Sequence, residues 1–289
     1  MIKKVDMVIP YVNNKDKVWL KTFVDYCKKH GLVNKIIEMR GNRYDCGDLV
    51  SYQLKLIKKN MPFINKIYLL LSNKEQKPLD LDNDVVVVLH KEFIPYRFLP
   101  TFNSTTIEMF LWNIPNLSEY FIYANDDMLP TGKLSLDDFF SESGIIKINM
   151  TKDTLLRNNG NFKYQCMNSY KHILEAQGHK VFNNEYMKPI HSFTPMIKSH
   201  CEEAYNSIKE EIDKNIRAFR NDYQHNQYIY PIYEMVRYGI YDNDIDFKYE
   251  EIYNEEDIDF THQIVCINEI PNQKLYNVVL ERLDQLLCE

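Results

Sequence analysis

The sequence predicts an α/β fold built on a mostly parallel sheet, and two observations carry that prediction. Short continuous apolar runs recur at residues 5–10, 67–71, 85–89 and 120–124, as strands covered on both faces do. Stretches with helical spacing fall between them, and strand–helix alternation is the mark of a parallel sheet.

Taken in order, residues 5–10 (VDMVIP) form the first strand. Residues 16–30 then place Trp19, Leu20, Phe23 and Cys27 on one side of a helix. Asp48 is positioned to cap a second helix running through Asn60, with Leu49, Tyr52, Leu56 and Ile57 as its apolar positions. After the strands at 67–71 and 85–89, residues 104–113 read as a short helix and 120–124 as another buried strand. Residues 150–190 are polar and aromatic with weak periodicity, and read as loops or short helices. Helical spacing returns at 197–214 and 222–238. The acidic stretch 242–259 reads as a solvated connector, 264–267 as a last strand and 274–287 as an amphipathic closing helix.

Composition narrows the class. The 289 residues are 45% hydrophobic and 26% charged, with only 8 Gly against 21 Tyr and 15 Phe, so the chain is neither disordered nor linker-rich. A net charge of −6 disfavours non-specific binding to nucleic acid, which depends on Lys and Arg neutralising phosphates. The six cysteines, at 27, 46, 166, 201, 266 and 288, contain no CxxC pair, which argues against a zinc knuckle. Cys27, Cys201 and Cys266 sit in apolar or helical runs and read as buried thiols in a reducing compartment. No apolar stretch approaches the roughly 18 residues of a membrane span, nor does the N-terminus show a signal region. The expectation is a soluble, cytoplasmic protein.

Two motifs carry chemistry. Asn125-Asp126-Asp127 directly follows the strand YFIYA. Adjacent carboxylates at a strand's carboxyl end suit a divalent cation bound to a diphosphate, although a polar turn has the same composition. In LPTFNSTTIE, Asn103 or Ser104 caps a helix that carries Glu108 about one turn in. A helix N-terminus aimed at a pocket attracts anions; simple capping, with Glu108 in water, is the plainer reading.

In order, VDMVIPYVNNKD, SYQLKLIKKNMPFINKIYLLL, LPTFNSTTIE, IPNLSEYFIYANDDM and CINE resemble the Stealth family. These are capsular polysaccharide hexose-1-phosphate transferases, related to the N-acetylglucosamine-1-phosphotransferase catalytic subunit. The resemblance implies a GT-A-like Rossmannoid core with an additional helical region in the C-terminal half. It implies one catalytic domain over 1–289, with a nucleotide-sugar-binding half (1–150), a largely helical acceptor side (151–260) and a closing strand and helix (261–289). The implied reaction moves hexose-1-phosphate, as N-acetylhexosamine-1-phosphate, from a UDP-sugar to a hydroxyl of an oligosaccharide or polysaccharide, releasing UMP with Mg²⁺ or Mn²⁺.

The resemblance also implies roles. Asp126 and Asp127 match the family's acidic metal pair, and Asn268 and Glu269 its C-terminal Asn-Asp, with Glu replacing Asp. Asn125, Ser104 and Glu108 fall at the donor. Tyr11 and Asn13 border the uridine, in a segment where Tyr11 replaces Trp and Asn14 replaces Gly. Arg43 and Asp48 match an Arg and a Glu before the second helix, with a one-residue offset. His191 is the implied base, in HSFTPM, where Pro lies four residues on instead of two, and Arg220 the implied phosphate ligand. His225 is the spare base. Implied surroundings are the cytoplasm or the membrane's inner face, with peripheral association to a polysaccharide assembly complex. A GT-A glycosyltransferase that releases UDP, and a non-catalytic sugar-nucleotide-binding module, are the competing functions.

Overall fold

In the computed structural model, residues 2–39, 49–78, 81–82, 84–156 and 159–288 are described, with the side chains of Asn268 and Glu269 left out. Arg43, Cys46 and Asp48 therefore lie outside the described residues.

The core is a five-stranded sheet. β1 (Val5–Pro10) is flanked by β2 (Ile64–Leu71), and β3 (Val85–Leu89) lies beyond β2. On the other side of β1 runs β4 (Tyr120–Tyr123). All four are mutually parallel, as the apolar runs predict, with Val8 paired to both Tyr68 and Tyr123. Successive side chains alternate between faces, and each face has its own core. Val8, Tyr68, Leu70, Phe121 and Tyr123 enter one cluster, while Met7, Ile9, Leu69, Leu71 and Ile122 enter another. Burial on both faces explains why these strands read as unbroken apolar runs.

α1 (Lys17–Lys29) starts where Asp16 accepts from the Trp19 N–H at 2.6 Å, and buries Trp19, Phe23 and Cys27 at helical spacing against Phe102. α2 (Val33–Glu38) follows. α3 (Leu49–Asn60) carries two polar residues on its buried face, Gln53 and Asn60, seven residues apart. α4 (His90–Phe93) succeeds β3 directly, and α5 (Ser104–Glu108) is shorter than the spacing suggests, because residues 111–113 form a separate 3₁₀ turn. Asn103 is its cap, accepting from the Thr105 N–H at 3.2 Å.

Two expectations are corrected in the second half. Residues 150–190 contain regular elements: β6 (Met150–Thr154) and β7 (Glu185–Pro189) form an antiparallel pair that brackets the 16-residue α6 (Asn161–Ala176). The helix is amphipathic yet buries Gln165 and Ser169 beside Cys166 and Ile173, and these polar core positions blur its sequence period. β8 (Thr194–Ile197) then joins the central sheet antiparallel to β4, and α7 (Lys198–Ser207) and α8 (Lys209–Asn215) follow. α9 (Ile229–Arg237) begins seven residues later than predicted, since 221–228 is a loop.

The acidic connector also contains a strand. β9 (Phe247–Glu251) pairs in parallel with β10 (Ile264–Glu269), which is itself antiparallel to β5 (Met128–Leu129). Its acidic side chains hid it, yet Glu250 within the strand and Ile252 just after it are buried. α10 (Gln273–Cys288) closes the chain against α3 through Leu275, Val279 and Leu283. Cys27, Cys166, Cys201 and Cys266 are buried free thiols and Cys288 is an exposed one.

Candidate functional site

The site forms where β4 ends and the chain turns into β5. Ala124 still pairs with β1, its N–H donating to the Val8 carbonyl at 3.1 Å. Asn125, Asp126 and Asp127 then turn away from the sheet. Gln53 donates to the Asn125 carbonyl at 2.7 Å and the Met128 carbonyl at 2.6 Å, and Asn60 donates to the Pro130 carbonyl at 2.7 Å. The two polar residues on the buried face of α3 thus hold the acidic turn from beneath. Their signal in the sequence is two amides at positions where the helical period calls for apolar residues. β10 meets the turn from the other side: the Ile267 N–H donates to the Asp127 carbonyl at 2.9 Å, bringing the backbone of Asn268 next to the acidic pair.

Asp127 Oδ1 is buried and has no hydrogen-bond partner. Burial raises its carboxyl to about 7; the charge of Asp126 adds to that shift, and Arg220 opposes it. Two neighbouring carboxylates repel each other unless a cation compensates them. One ligand atom from each of Asp127, His191 and Cys266 lies within 4.8 Å of the others. Cys266 is a poor ligand for a hard cation, because burial and the Asp127 carboxylate hold its thiol protonated. The unpartnered carboxylate oxygen of Asp127 is the donor that fits a divalent cation.

His191 comes from the loop between β7 and β8. Tyr228, buried just before α9, sits 3.2 Å from Nδ1, and Asn125 Nδ2 lies 3.5 Å from Nε2. Asn125 Oδ1 accepts from the Tyr123 hydroxyl at 2.9 Å, which orients the amide with its nitrogen toward the imidazole. The network therefore assigns the Nδ1 hydrogen to the Tyr228 oxygen and leaves the Nε2 lone pair facing Asn125. Burial, then Lys188 and Arg220, lowers the imidazole to about 4, so it is neutral near pH 7. Phe162 and Tyr249 stand beside its ring at centroid distances of 6.3 and 6.0 Å.

Arg220 lies in the loop after α8, where its Nη2 donates to the Ser104 hydroxyl. Glu108 is 6% exposed, which overturns the reading of it as a solvated residue beside a simple cap. Its carboxylate accepts from the Gln227 N–H at 3.0 Å and faces the Tyr123 hydroxyl at 3.3 Å. Burial raises the Glu108 pKa while Arg220 pulls it down. Asp126, Asp127, Asn125, His191, Arg220, Ser104 and Glu108 thus converge on one end of β4, though 116 residues separate Ser104 from Arg220.

Tyr11 and Asn13 sit at the end of β1. The Tyr11 N–H donates to the Leu70 carbonyl, and the Asn13 carbonyl accepts from Gln76. His225 does not face the acidic turn: its Nε2 lies 2.8 Å from His172 Nδ1, and its ring is buried behind α5 and α8. Tyr228, Tyr249, Phe162, Cys266 and Gln53 are the site residues that sequence motifs did not single out for the site.

Residues 43–148 match the family model Stealth protein CR2, conserved region 2. The capsular polysaccharide phosphotransferase cps1A of Actinobacillus pleuropneumoniae is 29% identical over 213 residues, covering 72% of this chain and 58% of that protein. The capsular polysaccharide phosphotransferase fcs1 of Haemophilus influenzae is 32% identical over 216 residues, covering 72% and 58%. SacB of Neisseria meningitidis serogroup A, another capsular polysaccharide phosphotransferase, is 30% identical over 226 residues, covering 78% and 39%. Residues 43–148 thus resemble conserved region 2 of the Stealth family, and the chain is similar to its capsular polysaccharide phosphotransferases. It spans less than three fifths of the length of these relatives. Among solved structures, the inositol-1-phosphate CTP transferase from T. maritima aligns over 98% of this chain and 97% of its own at 15% identity. The TM-score of that alignment is 0.39. Among the described residues no helix is long and apolar enough to cross a membrane.

Proposed function

We propose that the chain transfers a sugar-1-phosphate from a UDP-sugar to a hydroxyl of a glycan in capsular polysaccharide synthesis. The observation that carries this reading is the convergence at one strand end of a carboxylate with one buried, unpartnered oxygen, a neutral imidazole and a guanidinium. Its support is the set of capsular polysaccharide phosphotransferases to which the chain is similar.

In this reading Asp126 and Asp127 hold a divalent cation, Mg²⁺ or Mn²⁺, with Asn268 and Glu269 as neighbouring ligands from β10. When bound, the cation neutralises charge on the donor's diphosphate oxygens. Arg220, fixed on Ser104, pairs with phosphate oxygens and strengthens that contact as charge builds on them. His191 Nε2 takes the proton from the acceptor hydroxyl while Tyr228 holds Nδ1. The acceptor oxygen forms a bond to the β-phosphorus, the bridge between the two phosphates breaks, and UMP carries away the bridging oxygen. Glu108 does not face the donor directly in this reading; it positions Tyr123 and the loop that carries Arg220.

The test is to incubate the protein with several UDP-sugars, Mg²⁺ and oligosaccharide acceptors, and to identify the nucleotide released. UMP supports phosphotransfer. Release of UDP assigns the chain to glycosyl transfer instead, and binding without any release assigns it to a non-catalytic module.

A further inference from the structure

Cys266 stands at the acidic turn, yet the proposed reaction gives its thiol no part. It is a free cysteine on β10 with no exposed surface. Its Sγ, a carboxylate oxygen of Asp127 and an imidazole nitrogen of His191 all lie within 4.8 Å of one another. Three separate elements supply them: the turn after β4, the loop between β7 and β8, and β10. Among the described residues no other three side chains of ligand type come together so closely.

The donor types select the metal. Mg²⁺ takes an octahedral shell of oxygens and gains nothing from a thiolate. A thiolate, an imidazole and a carboxylate are the mixed set that Zn²⁺ takes in tetrahedral sites. Bonds of about 2.3 Å to sulfur and 2.0–2.2 Å to nitrogen and oxygen place such ligand atoms roughly 3.3–3.6 Å apart. Side-chain shifts of roughly 1.5 Å or less would close the three atoms to that spacing. Two features prepare them. Asp127 Oδ1 is buried without a partner. Tyr228, 3.2 Å from His191 Nδ1, is placed to orient the ring through that nitrogen, as partners of metal-binding imidazoles do. The Nε2 lone pair then faces only the Asn125 amide, and 3.5 Å is too long a contact to compete with a metal bond.

We propose that Asp127, His191 and Cys266 form a Zn²⁺ site whose occupation switches the enzyme off. The inhibitory role rests on the reading above, in which Asp127 holds Mg²⁺ and His191 Nε2 takes the acceptor proton. Zn²⁺ bound by the three side chains engages the Asp127 oxygen and ties up the Nε2 lone pair, so both functions are lost together. The Cys266 S–H bond breaks as the Zn–S bond forms, and the proton leaves to solvent. Three protein ligands leave the fourth tetrahedral position to water. Inhibition is therefore competitive with Mg²⁺, and it depends on a thiol that the transfer reaction does not use.

Co²⁺ is the spectroscopic probe, because a cobalt–thiolate bond gives an intense near-ultraviolet charge-transfer band. The parent is the full chain carrying Cys46→Ser and Cys288→Ser, so that neither Cys46 nor the exposed Cys288 adds a signal. Co²⁺ should produce the band in the parent, Zn²⁺ should abolish it, and Cys266→Ser in the same background should lack it. In transfer assays with Mg²⁺, the Zn²⁺ concentration for half-inhibition should rise with Mg²⁺. It should also rise at least about 10-fold in Cys266→Ser, each variant being compared with its own uninhibited rate; 10-fold is the lower end of what losing even an outer-shell partner costs a metal site. Cys266→Ala reports the same two quantities should the serine variant fold poorly. No band in the parent, or equal Zn²⁺ sensitivity in the parent and the variants, overturns the proposal. Transfer supported by Zn²⁺ at the Mg²⁺ rate overturns the inhibitory role. A parent that gives the band yet releases no UMP with Mg²⁺ refutes the donor reading and the inhibitory role with it, and upholds the metal site.

Discussion

Gln53 holds the Asn125 carbonyl at 2.7 Å from beneath the acidic turn, and the same amide nitrogen reaches the Met128 carbonyl at 2.6 Å. One fully buried side chain thus spans both ends of the segment that carries Asp126 and Asp127. Gln53→Leu keeps the size of the side chain and strands two buried carbonyls. That loss is expected to cost about 1–3 kcal/mol. Thermal unfolding should show a lowered melting temperature, and the metal concentration needed for half-maximal activity should rise at a temperature where the variant is folded. An unchanged melting temperature together with unchanged metal dependence would remove Gln53 from this role.

Asp127→Asn removes a charge that burial and Asp126 already disfavour. The variant should melt at or above the wild-type temperature, because the repulsion is relieved. Activity is expected to fall on the order of 10²–10³-fold, as when a preorganised electrostatic group is lost. Thermal melts beside rate measurements over a range of Mg²⁺ concentrations check both halves. Full activity in the variant would sink the metal assignment.

His191→Ala should lower turnover by about 10²–10⁴-fold while leaving UDP-sugar affinity nearly unchanged, since a general base acts mainly in the transition state. Arg220→Ala should weaken both, because its phosphate contact exists in the ground state and strengthens later. Tyr228→Phe removes only the partner of Nδ1 and should cost less turnover than losing the imidazole. Steady-state kinetics with direct donor-binding measurements separate the three. Near-normal turnover of His191→Ala would move the base elsewhere, and not to His225, which faces His172.

His200 provides a pH prediction remote from the acidic turn. Its Nδ1 lies 2.7 Å from Glu234 Oε1, and its ring stacks on Tyr238 at 3.9 Å. Burial disfavours the charged imidazole, yet the hydrogen bond and charge of Glu234, helped by Glu203 and Glu119, carry its pKa above 6.5. A group whose pKa is raised on folding stabilises the protein fully below its unfolded value and loses that contribution as pH climbs through the folded value. His200→Gln should therefore destabilise the protein most at acidic pH, by about 1.5–3 kcal/mol for a hydrogen bond to a charged group. The difference should shrink above neutrality. Urea unfolding of both proteins from pH 5.5 to 8.5 measures it, and a pH-independent difference would contradict the ion pair.

The parallel strands were legible because each is buried on both faces, so its sequence is a plain apolar run. Asn125-Asp126-Asp127 was legible for a related reason: charges directly after such a run must sit at a strand's carboxyl end. α6 and β9 were not legible. α6 buries Gln165 and Ser169, which bond to the loop after α8 through the Asn221 carbonyl and Asn226, and polar residues on a buried face erase the helical period. β9 is an edge strand that buries Glu250 and exposes Glu251, so its acidic composition reads as a connector.

By itself, then, the sequence determined the four parallel strands of the central sheet, the last strand, α1 and α3, the acidic turn and the family to which the chain is similar. Each of these follows from local patterning or from a continuous run of matched residues. Only the tertiary structure decided that Gln53 supports the turn and that Glu108 is buried under the loop of Gln227. Likewise it alone set His191 between Asn125 and Tyr228, and turned His225 away toward His172. These are contacts between residues 37 to 119 positions apart. Side-chain chemistry permits many such pairings, and the packing of α3, β10 and the 221–228 loop around one strand end selects among them.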